Sequence, residues 1–160
     1  MKTITIATYL DVEPDVVCRH VMTPRLLNYV VAGLMRFRPV EPDSFPQTWS
    51  PGNYRVRMLA FHLLPVGWQT VAIELPGPGD DWFIRDKGRG SIARTWDHLI
   101  FIEPDGAGTR YVDRVRIDAG VLTLPVVLYA KLFYRYRQRR WRKLVRLGFS
   151  PLTAADGDSR

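Results

Sequence analysis

The sequence predicts an α+β fold: a curved antiparallel sheet of about seven strands, two short helices after the first strand, and one long C-terminal helix packed across the sheet. Three observations predict it. Lys2 to Leu10 alternates with period two, as a strand does. A series of strand-like runs between Leu34 and Asp118 is separated by short turn signals, which implies antiparallel neighbours. Thr123 to Gly148 then reads as one helix, the only long element able to cover an apolar sheet face.

The elements follow in order. In the first strand Ile4, Ile6 and Leu10 share one face, and Thr3, Thr5 and Ala7 the other. Asp11, Glu13, Pro14 and Asp15 supply helix-start chemistry, and a short helix from Pro14 to Val21 follows. Thr23-Pro24 is a second N-cap followed by a proline at the first helical position, opening a helix through Asn28 or beyond. A strand covers Leu34 to Val40, and Pro39, Pro42 and Pro46 make the next stretch irregular. Tyr54 to Leu64 and Trp68 to Leu75 are strands joined by a turn at Pro65-Val66-Gly67. Trp82 to Lys87 is a strand, Lys87-Gly88-Arg89-Gly90 a turn, and Ile92 to Ile102 with Thr109 to Asp118 the last hairpin, closed around Asp105-Gly106. Residues 1–149 form a single domain in this reading, with a polar tail over 150–160.

Bulk properties narrow the function only by class. The 160 residues suit one domain, with a hydrophobic content of 46% and a charged content of 24%. A formal charge of +7 favours acidic partners in general and selects none of them. The single Cys18 excludes an internal disulfide and a cysteine zinc site, and its apolar setting suits an inert buried thiol. His20, His62 and His98 show no metal-ligand spacing, so no metal and no cofactor are expected. Gly88-Arg89-Gly90 is only a fragment of a nucleotide-binding pattern, and no serine sits in a nucleophile elbow. The N-terminus lacks the apolar core of a signal peptide, and Val121 to Ala130 is too short to span a bilayer. A cytoplasmic protein is expected, as a monomer or a homodimer.

The long helix has two halves. Pro125 to Ala130 is apolar, whereas eight cations lie between Lys131 and Arg146, interleaved with Phe133, Tyr134, Tyr136 and Trp141. At about 100° per residue, Val126, Ala130, Phe133, Leu144 and Leu147 share a side, with Arg137 near its centre and Arg140 near its edge. The plainer expectation is that the Arg137 stem packs while its guanidinium snorkels to water. The sharper one is that it receives a carboxylate or phosphate head group. The cationic half also fits weak contact with an anionic membrane; nucleic acid is disfavoured, because no binding motif accompanies the charge.

Phe83-Ile84-Arg85-Asp86, Gly90, Trp96-Asp97-His98-Leu99-Ile100-Phe101 and Gly108-Thr109-Arg110-Tyr111-Val112-Asp113-Arg114-Val115 are similar to a pattern that recurs in one family of small bacterial proteins. With the element order and the Arg-rich helix, the chain resembles the START-related helix-grip superfamily (SRPBCC), which includes polyketide cyclase/dehydrase-like proteins. The resemblance covers nearly the whole chain and implies a cavity between sheet and helix for an apolar small molecule. Many relatives carry a second histidine two residues after the first, where this chain has Ile100. Trp96, Trp68, Met58 and Phe133 are the expected lining residues, with His98, His62 and Arg137 as polar candidates. His62 reads more readily as a satisfied core histidine.

If the last hairpin closes as expected, Ile102 lies near Thr109, Ile100 near Tyr111 and His98 opposite Asp113. Cross-strand neighbours have Cβ atoms about 5 Å apart, so the pair could hydrogen-bond. A structural bond is the plainer reading; a carboxylate-oriented general base is the alternative, and His98 and Asp113 are then the catalytic candidates. The leading expectation is a carrier or sensor of an apolar or amphipathic small molecule. The alternatives are a cyclase- or dehydratase-type enzyme and a module held to membranes or acidic partners by the basic helix.

Overall fold

The computed structural model describes residues 1–154. The chain runs β1 (Lys2–Leu10), α1 (Pro14–Val21), α2 (Pro24–Val31), β2 (Met35–Glu41), β3 (Gly52–Ala60), β4 (Leu64–Glu74) and β5 (Ile84–Gly90). It continues through β6 (Thr95–Asp105), β7 (Gly108–Asp118), a single 3-10 turn (Gly120–Leu122), α3 (Thr123–Arg146) and α4 (Ser150–Ala154). The strands form one curved antiparallel sheet in the order β1-β7-β6-β5-β4-β3-β2. β1, first in sequence, pairs with β7, so the short helices α1 and α2 bridge from one edge of the sheet to the other.

Local chemistry explains the helix ends. Thr23 caps α2 by accepting the Leu26 N–H, and Pro24 begins the helix where no backbone donor is needed. α3 ends in a Schellman motif: Phe149 N–H reaches Leu144 O at 3.1 Å and Gly148 N–H reaches Val145 O at 3.0 Å, with Gly148 at φ 55°. The buried side of α3 carries Ala130, Phe133, Tyr134, Gln138, Trp141 and Leu144. Leu147, expected on that side, is exposed, because the motif turns the chain there.

α3 is tied down unevenly. Trp96 Nε1–H donates to the Tyr134 hydroxyl, Tyr136 to Ala32 O, Gln138 to Ile6 O, Arg140 to Tyr29 O and Arg142 to Thr8 Oγ1. All five bonds leave the stretch from Tyr134 to Arg142. Among the described residues, none of the hydrogen bonds from a side chain to another element reaches 124–133.

Three expectations change. The β3–β4 turn falls at Phe61-His62-Leu63, where Phe61 (φ 48°) and His62 (φ 66°) adopt left-handed backbone and Leu63 N–H returns to Ala60 O. Pro65-Val66-Gly67 is instead a β-bulge within β4: Met58 pairs with Gly67 and Leu59 with Pro65, leaving Val66 over. Lys87 to Gly90 continues β5 rather than turning. A Cβ on Gly90 would stand 2.4 Å from Trp68 O and one on Gly88 2.9 Å from Thr70 O, so both glycines permit close strand approach. The start of the expected polar tail forms α4, with Leu152 buried; its remainder, 155–160, lies outside the described residues. Among the described residues no helix is long and apolar enough to cross a membrane.

Candidate functional site

A cavity of about 490 Å³ opens between the sheet and α3. Alternation along the strands supplies its apolar wall: Met58 from β3, Val71 and Ile73 from β4, Ile84 from β5 and Ile100 from β6. Leu26 of α2 and Val126 and Phe133 of α3 close the other side. Leu122, Tyr129 and Ile92 line the cavity yet remain exposed, which marks its mouth beside the start of α3.

The sequence candidates divide. Trp96, His98, Met58, Phe133 and Arg137 line the cavity; Trp68 and His62 do not. With Val71 and Ile73 inward, period two turns Gln69 inward and Trp68 outward, where Arg55 lies 5.1 Å over its ring. His62 occupies the left-handed turn, and its Nε2 accepts the Gly33 N–H at 2.9 Å. It is an exposed turn residue rather than a core histidine.

His98 and Asp113 meet, by a different register from the expected one. Ile100 stands opposite Asp113 and His98 opposite Val115. The two-residue offset keeps His98 and Asp113 on the same face as diagonal neighbours. His98 Nε2 lies 2.7 Å from Asp113 Oδ1, and both side chains are buried. The carboxylate also accepts the Tyr111 hydroxyl at 3.2 Å and Gln138 Nε2–H at 2.9 Å. Burial alone would raise the Asp113 pKa, but the bond to His98, with Arg137 and Gln138 adding to it, holds it below the usual carboxyl range. Burial lowers that of His98. An ionised carboxylate only accepts, so the His98 proton sits on Nε2 and Nδ1 keeps its lone pair.

Sequence reasoning gave Asp86, Tyr111, Tyr134 and Gln138 no role. Asp86 follows Ile84 by two, faces the cavity and accepts the Ala72 N–H at 2.8 Å. Burial pushes its pKa up to about 7. Asp86 lies inside the expected strand Trp82 to Lys87, and period two from Ile84 would have turned it inward. Tyr134 lies against His98 at 4.9 Å between ring centroids and stacks near Trp96.

Arg137 is half-buried. It lines the cavity, with its guanidinium 4.7 Å from the Tyr134 ring and 5.9 Å from the Phe133 ring. Its Nε is buried without a hydrogen-bond partner. No carboxylate comes within salt-bridge distance of it among the described residues, although Asp86 and Asp113 both feel its charge. Cys18 is half-buried, and burial raises its thiol pKa, which disfavours the reactive thiolate. Among the described residues no three His, Cys, Asp or Glu side chains gather as metal ligands do.

No protein-family model and no curated protein matches the sequence. Solved structures do resemble the fold. A protein from Chromobacterium violaceum is 18% identical with a TM-score of 0.67, over 89% of this chain and 96% of that one. A START superfamily protein from Mycobacterium smegmatis is 11% identical with a TM-score of 0.65, over 91% and 97%. Ara h 8.0201 is 10% identical with a TM-score of 0.54, over 88% and 97%. With the strand order, the paired short helices and the long terminal helix, these likenesses identify the architecture: the chain has the helix-grip fold of the START-related superfamily.

Proposed function

We propose that the chain binds an apolar or amphipathic small molecule in the cavity under α3 and acts as its carrier or sensor. The observation that carries this reading is the cavity itself: about 490 Å³, walled by aliphatic and aromatic side chains, with a few polar groups converging inside. Small-molecule sites are of this size and character. Native mass spectrometry of protein purified from its own host tests it, with extraction of the bound species. The expected result is a second mass series offset by one small lipophilic molecule. Bare protein alone, in preparations never exposed to detergent, would overturn it.

The His98–Asp113 pair supports a second reading, a cyclase- or dehydratase-type enzyme. The 2.7 Å bond orients a neutral imidazole that lines the cavity, which suits a general base. Against it, Asp113 is saturated by structural donors, including Gln138 from α3. If a turnover is found, His98→Ala abolishes it on this reading; unchanged turnover removes His98 from the chemistry.

The outer face of α3 supports a supplementary membrane contact. Arg135, Arg139, Arg142 and Arg146 are all exposed and fall within a stripe roughly 60° wide. Leu124, Leu128 and Leu132 continue that stripe toward the cavity mouth, also exposed. Co-sedimentation with vesicles rich in anionic phospholipid at low salt is the expected outcome. No sedimentation at low salt would remove the membrane from the reading.

A further inference from the structure

The cavity holds one charged group that the protein leaves unanswered. Arg137 projects from the middle of the buried face of α3 into the cavity, and its Nε is buried with no partner. Ring faces of Tyr134 and Phe133 are its near neighbours. Asp113 does not serve as its counter-ion in contact, because both carboxylate oxygens are occupied by His98, Tyr111 and Gln138. Asp86 is turned to the Ala72 N–H. Arg137 is half-buried, and covering its Nε without a bonded anion has a cost that falls when an anion arrives. Its planar donor fork matches a carboxylate in two parallel hydrogen bonds.

We infer that the ligand of this cavity is an amphipathic monocarboxylate, its head group paired with Arg137 between Asp86 and His98 and its apolar tail running toward the mouth at Leu122 and Tyr129. This rests on the ligand-binding reading above and names the ligand class. The geometry sets the direction of binding. Twelve residues of α3 separate Pro125 at the mouth from Arg137, roughly 18 Å along the helix axis. The walls between are apolar, with Val126 and Phe133 on the helix side and Val71, Ile73 and Ile84 on the sheet side. A single negative charge fits better than two, since Asp113 already places a carboxylate near the guanidinium and Asp86 adds a second carboxyl that can ionise.

Asp86 then makes binding sensitive to pH. The groups near it are Arg137 and Tyr134 on α3, His98 on β6, Tyr111 and Asp113 on β7, Gln69 on β4 and, through the sheet, Asp97. His98 stays neutral through burial, and burial likewise keeps both tyrosines protonated. Asp86 therefore changes charge near neutrality while these neighbours do not. Protonated, it can donate to the ligand carboxylate; ionised, it repels it.

Isothermal titration with dodecanoate, methyl dodecanoate and dodecyl phosphate tests the inference. The expected result is that wild-type protein prefers dodecanoate to its methyl ester by roughly tenfold to a hundredfold. Arg137→Met abolishes that preference while still binding the ester, and Arg137→Lys retains part of it. Between pH 6 and pH 8 the wild-type affinity for dodecanoate falls by about tenfold as the protonated fraction of Asp86 shrinks. Asp86→Asn flattens that dependence. Equal wild-type affinity for acid and ester overturns the inference alone, and this comparison needs no variant to fold. Tighter binding of dodecyl phosphate overturns the carboxylate assignment. Binding of neither chain overturns the ligand-binding reading and this inference with it.

Discussion

Asp86 is set inward by the alternation of β5, and burial pushes its pKa up to about 7 against an ordinary value of 3.8. The folded protein therefore holds this proton over a range in which the unfolded chain has lost it. For a raised pKa the sign is fixed: stability falls as pH climbs from the ordinary carboxyl range to about 7 and is constant above. Asp86→Asn keeps an oxygen for the Ala72 N–H and removes the charge. The ligand-free variant is expected to be more stable than wild type by roughly 1–3 kcal/mol at pH 8, the gain dwindling as pH falls from 7 to 4. Urea denaturation across that range checks it; a constant difference at all pH values would show that the carboxyl is not the cause. Asp113 behaves oppositely. Its depressed pKa contributes stability at neutral pH that is lost on acidification through its folded value. Neither assignment was fully legible beforehand. The His98–Asp113 pairing came from counting along a hairpin, and a register error of two preserved the face. Asp86 stood inside a predicted strand, but alternation alone does not tell which face of that strand meets a cavity.

Among the elements, the helices were legible because their start signals are chemical. Pro14, Thr23 and Pro24 fix α1 and α2, and Gly148 fixes the end of α3. Turns were misread where glycine and proline served the sheet instead. Gly67 sits in a bulge, and Gly88 and Gly90 let β4 and β5 approach. The true β3–β4 turn uses Phe61 and His62 in left-handed backbone with no glycine, held by Phe61 N–H to Leu34 O and by the Gly33 N–H to His62. Gly90→Val tests the sheet reading. Its Cβ would press on Trp68 O, a backbone atom that cannot swing aside. A loss of roughly 2–4 kcal/mol is expected in denaturant unfolding. A loss below about 0.5 kcal/mol, the scale of an ordinary surface substitution, would contradict the close approach.

For the whole molecule, element order specified the architecture because a sheet with one apolar face has few ways to cover it. The cavity was not readable from residues alone, since its existence depends on α3 standing off the sheet. The uneven fastening of that helix has a mechanical consequence. Six hydrogen bonds pin Tyr134 to Arg142, whereas the turns from Leu124 to Phe133 rest on packing and on the local Thr123 bonds to Ala119 and Gly120. This fastening predicts that α3 opens first at its N-terminal turns, over the mouth. A guest would enter by lifting those turns, leaving the Gln138–Asp113 latch closed. Amide hydrogen exchange is expected to be faster over 124–132 than over 134–142 in the empty protein. The difference should narrow when the cavity fills. Uniform exchange along the helix would mean that the whole of α3 moves together.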